Sequence, residues 1–306
     1  MFERSREPLL DSASLHSKNI MSAQLIDGKK LAANIHSELK EDIKRLGITP
    51  GLAVLLVGDD PASHTYVRLK EKAASEIGIH FEKILLPQNI EEELVLAKID
   101  ALNRRSDIHG IVVQMPLPAH LNEDRVAQEI FPEKDADGFH PKNIKLLMAG
   151  TPRVVPNLLQ AILYLIESTR MPLVMTRGIL VKNAVILANS TIIARPLVKL
   201  LKDHAIAARY KLQIPNDKTM QETDILIVAL GKPHRITKNM VKDGGIVIDV
   251  GTTRVDGKIV GDVHPNVAEK AKWLTPVPGG IGPLTVAYLL KNVVELAKQA
   301  QKKNPT

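Results

Sequence analysis

From Leu25 onward the chain alternates between two hydrophobic periods. "LAANIHSELKEDIKRL" repeats apolar positions three and four residues apart, which predicts an amphipathic helix, whereas "GLAVLLVG" is an unbroken apolar run of strand length. "SHTYVRLKEKAASEIG" reads as a second helix, with Ser63 expected as its cap and Gly78 as its end. A strand "FEKILLP", a helix "IEEELVLAKIDALN" and a strand "GIVVQM" follow. Strands separated by helices of this length need crossover connections and hence a parallel sheet. The stretch around "FPEKDADGFHPKN" breaks the alternation, which resumes with the helix "NLLQAILYLIEST" and the strands "AVILA", "DILIVAL" and "GIVIDVG". The pattern predicts an α/β fold of two domains, each with a mostly parallel sheet flanked by helices, the second of them Rossmann-like. Residues 23–150 are expected to form the first domain and 151–283 the second. A last helix over 284–300, "LTVAYLLKNVVELAKQA", is expected to return to the first.

Composition narrows the function classes. Of the 306 residues 44% are hydrophobic and 25% charged, which is ordinary for a soluble globular chain. No apolar run approaches the roughly 18 residues of a spanning helix, so no membrane association is expected. The absence of cysteine removes disulfides, thiolate metal sites and cysteine nucleophiles. The formal charge of +7 suits anionic small ligands or merely solubility. Nucleic acid is not expected as a partner, because aromatics are 3% and the basic residues are scattered. Residues 1–22 lack the apolar core of a secretory signal and carry Glu3, Glu7 and Asp11, unlike a transit peptide. They are expected to form a disordered extension outside the fold.

Four stretches carry candidate chemistry. In "SHTYVRLK", Tyr66 and Lys70 stand four apart on one helix face. A lysine partly desolvated beside a ring reaches a useful acid–base range, although an isolated pair of this spacing is more often a surface feature. Gln114 ends the strand of "GIVVQMPLPAH", where polar residues of parallel sheets line ligand crevices; satisfying loop backbone is an equal alternative. "EKDADGFH" places Asp135 and Asp137 before Gly138, a pattern open to Asx-turn chemistry or to a carboxylate aimed at paired N–H donors. The remainder of a calcium loop is missing, and no metal is expected. "TPVPGGIGPLT" combines Pro276, Pro278 and Pro283 with Gly279, Gly280 and Gly282 directly before a helix, the mark of a stiffened ligand-contacting loop. A fifth stretch, "AVILANSTIIARP", has the strand, turn and helix of a dinucleotide site, with Ala188 and Ala194 where glycines are usual.

Together "GDDPASHTYVRLK", "GIVVQMPLP", "KDADGFH", "GKIVGDV" and "TPVPGGIGPLTVAYLL" resemble the bifunctional methylenetetrahydrofolate dehydrogenase/methenyltetrahydrofolate cyclohydrolase family, over about Leu25 to Lys298. The resemblance implies folate bound in a cleft between two α/β domains, NADP (or NAD) as cofactor, a homodimer joined through the nucleotide domain, and a cytoplasmic enzyme. It also implies residue roles. Lys70 resembles the catalytic lysine, Gln114 the glutamine that tunes it, Tyr66 the ring that stacks on folate and Asp137 the aspartate that grips the pterin. Val113, Met115 and the loop residues Pro278, Gly279, Gly280 and Gly282 complete the implied folate contacts. Ala188, Asn189, Ser190, Arg195, Lys211, Gly231 and Thr252 occupy the implied cofactor positions.

The second half departs from the family pattern. Ala188-Asn189-Ser190 stands where Gly-Arg-Ser is usual, and Ala194 replaces a glycine. Asn157 stands at a small residue or cysteine, Leu158-Leu159 at Thr-Pro and Ala161 at a glycine. Lys211 and Leu212 stand at a His-Ser pair that binds the 2′-phosphate end. Each alanine is expected to add a methyl where phosphate or helix approaches, and the lost arginine removes a charge-assisted contact. Three readings follow: a dehydrogenase/cyclohydrolase with atypical cofactor binding, a cyclohydrolase alone, or a non-catalytic folate-binding paralogue. Retention of Tyr66, Lys70, Gln114 and Asp137 favours catalysis.

Overall fold

The computed structural model describes residues 22–169 and 182–303. The extension expected at 1–22 therefore lies, apart from Ser22, outside the described residues. In chain order the elements are β1 (Gln24–Leu25), α1 (Gly28–Leu46), β2 (Gly51–Val57), α2 (Pro61–Ile77), β3 (His80–Leu86), α3 (Glu92–Asn103), β4 (Gly110–Val113), α4 (Glu123–Glu129), α5 (Pro141–Met148) and α6 (Asn157–Ser168). They continue with β5 (Asn183–Ala188), α7 (Thr191–Asp203), β6 (Ala207–Lys211), β7 (Ile225–Ala229), β8 (Ile246–Asp249), β9 (Thr253–Val255), β10 (Lys258–Val260), β11 (Trp273–Leu274) and α8 (Ile281–Lys303). The chain has the expected two-domain α/β architecture, with two parallel sheets flanked by helices.

The first sheet has the order β3-β2-β4, with every pair parallel. Its central strand explains the unbroken apolar run. Leu52, Val54 and Leu56 enter a core that includes residues of α1, α2 and α8, while Ala53, Leu55 and Val57 enter a second core with Val95 and Ile99 of α3. A strand covered on both faces has no polar side to show. Ile111 also makes an isolated parallel bridge to Asp135, which delivers the "DADG" loop beside the end of β4.

The second sheet has the order β1-β11-β8-β7-β5-β6, again parallel throughout. The chain runs outward from β5 to β6 and then returns to β7 on the other side of β5. Strand order reverses there, which opens a crevice at the carboxyl ends of β5 and β7.

Two elements tie the halves together. Residues 24–25, placed by the hydrophobic pattern with the first domain, pair instead with β11 at the edge of the second sheet; Ala23 and Ile26 add backbone bonds to Ala268 and Leu274. Helix α8 packs against α1 and α6, and also meets α2. At Gly28 an added Cβ would stand 1.7 Å from the Gly280 carbonyl oxygen, so the start of α1 rests directly on the "PGGIG" loop. Helix α2 is capped by Asp60 and not by Ser63: the Asp60 carboxylate accepts from the Ser63 N–H at 2.7 Å. Gly78 closes α2 as expected, at φ 91°.

Candidate active site

The cap at Asp60 and Pro61 at the first helical position start α2 so that Tyr66 and Lys70 face the end of β4. Both line a cavity of about 270 Å³ together with Gln114, Met115, Asn157 and Thr252. Gln114 follows the last residue of β4, and its N–H donates to the Leu55 carbonyl at 2.8 Å. Its side-chain Nε2 donates to the Met115 carbonyl at 2.7 Å, which turns Oε1 toward the lysine. Lys70 Nζ donates to that oxygen at 2.9 Å. Burial holds the Lys70 ammonium below its ordinary pKa, opposed by the charge of Asp137. The arrangement is a lysine poised to lose and regain a proton.

Of the two aspartates of the D-x-D-G turn, one shows the Asx-turn chemistry. Asp135 does the turn chemistry: its carboxylate accepts from the N–H groups of Gly138 (2.9 Å) and His140 (2.8 Å) and from Asn143 Nδ2 (2.9 Å). Asp137 is left to face Lys70. Burial raises the Asp137 carboxyl, and the Lys70 charge pulls it back.

Pro278, Gly279, Gly280 and Gly282 line a neighbouring groove of about 640 Å³, and Tyr66 and Thr252 border both spaces. Met115 lines the smaller cavity and is exposed. Val113 does not join them: it is 5% exposed and packs in the core around α3. The resemblance implies a folate contact there; its side chain points into the core and away from both spaces.

On the nucleotide side, β5 runs into α7 through Asn189 and Ser190, as the sequence predicts. Ser190 caps α7 with its hydroxyl accepting from the Ile192 N–H at 3.1 Å. Asn189 is exposed beside Gly231, which adopts φ 64°; an added Cβ there would lie 3.8 Å from Asn189 Nδ2. Lys211 is exposed at the end of β6, and Arg195 is exposed on α7. Ala188 and Ala194 correct the expectation placed on them. Both are 0% exposed and belong to the main core, so their methyls fill the interior between sheet and helix and do not crowd the turn. Thr252, expected with the cofactor residues, lines the Lys70 cavity, which places it where the two halves meet.

The comparisons agree with this geometry. Residues 26–137 match the family model for the tetrahydrofolate dehydrogenase/cyclohydrolase catalytic domain, and residues 158–301 match that for its NAD(P)-binding domain. The chain belongs to the tetrahydrofolate dehydrogenase/cyclohydrolase family. It is 44% identical over 290 residues to the bifunctional protein FolD of Moorella thermoacetica, covering 91% of this chain and 100% of that protein. A FolD crystal structure from Campylobacter jejuni superposes with a TM-score of 0.82 at 40% identity, covering 91% and 99% of the two chains. The Trypanosoma brucei enzyme, solved with NADP cofactor and an inhibitor, gives a TM-score of 0.82 at 34% identity over 91% and 98%.

A nicotinamide dinucleotide, as this family's second domain implies, fits the residues present. The α7 N-terminus opens at the strand-order reversal, Gly231 leaves its side of the turn clear, and the two alanines stay in the core. Asn189 supplies an amide where the family resemblance implies a guanidinium, and an amide carries no fixed charge.

Among the described residues, no helix is long and apolar enough to cross a membrane, and no cluster of three or more His, Cys, Asp or Glu is placed to hold a metal. Asn157, marked in the sequence only as a departure from the family pattern, also lines the Lys70 cavity. Its local signal was a polar side chain at the start of an otherwise apolar helix.

Proposed function

We propose that this protein oxidises 5,10-methylenetetrahydrofolate to the 5,10-methenyl form with NADP as hydride acceptor, and hydrolyses that product to 10-formyltetrahydrofolate. The observation that carries the reading is the Lys70–Gln114 hydrogen bond inside a cavity lined by Tyr66 and Asn157, with the Asp137 carboxylate held behind it by Asn157. Tyr66 offers a face for the aromatic portion of folate, and Asp137 an acceptor for the paired N–H donors of the pterin. The "PGGIG" loop closes the neighbouring groove. Thr252 and the Gly231 turn hold the nicotinamide half, with Asn189, Ser190, Lys211 and Arg195 around the phosphates; when bound, the nicotinamide supplies the hydride acceptor.

Hydrolysis needs only this chain and water. Water adds to the methenyl carbon, and neutral Lys70 takes the proton released as the new C–O bond forms. The C–N5 bond then breaks, the lysine ammonium returns a proton to N5, and one proton leaves to solvent. Burial makes the neutral amine accessible, and Gln114 fixes where it points.

The proposal extends to a homodimer joined through the nucleotide half, a cytoplasmic location and a domain boundary near Gly150. One preparation tests the chemistry. Reduced nicotinamide should form from methylenetetrahydrofolate and NADP, and methenyltetrahydrofolate should disappear without nucleotide. Hydrolysis without any nucleotide reduction would confine the protein to the second step, and neither reaction would refute the reading. Light scattering on the same sample should give twice the chain mass.

A further inference from the structure

Asp137 is gripped by Asn157, which stands where the family resemblance implies a small residue or cysteine. Asn157 opens α6, and its Nδ2 donates to Asp137 Oδ1 at 2.7 Å while its backbone N–H donates to the Asp137 carbonyl at 3.1 Å. The amide orientation is settled by its other end, because Oδ1 accepts from the Leu158 N–H at 2.6 Å. Asn157 also lines the cavity that holds Lys70, Tyr66 and Gln114.

The contact is braced from both sides. A Cβ on Gly138 would stand 2.8 Å from the Pro156 Cα, so the "DADG" loop lies directly on the approach to α6. Asn292 of α8, 3% exposed, donates to the carbonyls of Ala136 (2.9 Å) and Val155 (3.0 Å), which pins the segments before Asp137 and before Asn157 to one side chain. Gln160 adds bonds to Val155 and Asn292. In this frame Asp135 is spent on two backbone N–H groups and the Asn143 amide, while Asp137 has Oδ1 engaged and Oδ2 without a hydrogen bond among the described residues.

We propose that Asn157 is a positioning residue: it holds the Asp137 carboxylate in place and charged, so that the free oxygen receives the N–H donors of the pterin. The inference rests on the folate reading above. The charged groups facing Asp137 are Lys70 on α2 and Asp135 on its own loop. Burial and Asp135 favour the protonated acid, while Lys70 and the Asn157 amide favour the anion. An N–H donor given to a carboxylate stabilises its charged form, so removing Asn157 favours protonation of Asp137.

The test is the pH dependence of binding of a non-hydrolysable 5,10-bridged folate analogue, followed by calorimetry. Wild type, Asn157→Ala, Asn157→Cys and Asp137→Asn are compared, each checked by thermal melting. The family resemblance implies a small residue or cysteine at this position, so that variant serves if alanine does not fold. Affinity in the wild type should fall on the acid side as Asp137 protonates, and Asp137→Asn should bind weakly without that acid limb. In the Asn157 variants the limb should move up by about one pH unit, with affinity recovering toward wild type above it. A loss of equal factor at every pH, or an unmoved limb, would overturn the proposal by reducing Asn157 to a packing residue. Absence of analogue binding by the wild type at every pH would instead remove the folate reading, and this inference with it.

Discussion

Lys70 Nζ donates to Gln114 Oε1 at 2.9 Å, joining the middle of α2 to the carboxyl end of β4. A neutral amide at this point orients the lysine without adding charge. Gln114→Glu keeps the shape and places an anion against the amine, which favours the ammonium and raises its pKa. Neutral Lys70 is the form that accepts a proton, so the acid limb of hydrolysis should shift to higher pH and the rate at pH 7 should fall at least tenfold. A pH–rate profile superimposable on wild type would mean that Gln114 does not govern the lysine.

The two aspartates of the turn should separate in their effects. Asp137→Ala should weaken binding of a folate analogue by about 1.5–3 kcal/mol, the range for a lost charged hydrogen bond, with little change in stability. Asp135→Ala leaves the buried N–H groups of Gly138 and His140 unpaired and should lower unfolding free energy by about 2–4 kcal/mol. Calorimetry and urea titration of both variants check the division; equal effects of the two on stability would contradict it.

The nucleotide turn calls for one change and not three. Asn189→Arg restores a fixed charge beside the α7 N-terminus and should tighten NADP binding by about 1–3 kcal/mol. Ala188→Gly and Ala194→Gly remove core methyls and add backbone freedom, so each should destabilise by about 1–2 kcal/mol without improving affinity. Calorimetric titration and thermal melts decide between charge and crowding.

Two buried carboxylates brace the loops after β7 and β8. Asp262 accepts from the N–H groups of Leu230 (2.6 Å), Gly231 (3.0 Å) and Lys232 (2.6 Å), and Asp249 from those of Gly251 (2.9 Å), Asp262 (3.1 Å) and Val263 (2.9 Å). Burial pushes the Asp249 carboxyl up to about 6 despite its three donors. Between about pH 4 and pH 6 the folded chain then keeps a proton that the unfolded chain releases, so stability falls as pH rises through that window and levels above it. Asp249→Asn should lack this slope, with the wild type favoured by about 2–3 kcal/mol more at pH 4 than at pH 7. Parallel stability curves for the two proteins would rule it out.

Much of this was legible in the sequence because apolar spacing reports which face a helix or strand buries. β2 and α2 emerge from their residues alone, and so does the strand–turn–helix at Ser190. Other features depend on partners distant in sequence. β1 and β11 are two residues each and exist through one another and β8, so no local period marks them. Helices α4 and α5 are too short to show a stripe; α5 is signalled only by Pro141 and the ring of His140, which accepts from the Lys142 N–H. Motif logic placed Ala188 and Ala194 against phosphate or helix, and the packing of α7 on the sheet decides for the helix by sending their methyls inward. The Asn157–Asp137 bond joins residues twenty apart and becomes visible only when α6 meets the "DADG" loop.

The central claim is that Lys70 carries the proton in hydrolysis. Its most direct test is the rate of methenyltetrahydrofolate hydrolysis by Lys70→Met, set beside wild type at one pH, with folding and folate-analogue binding measured on the same samples. The account predicts a loss of about 10²–10⁴-fold in a folded variant that still binds the analogue. Hydrolysis near the wild-type rate by folded Lys70→Met would contradict it.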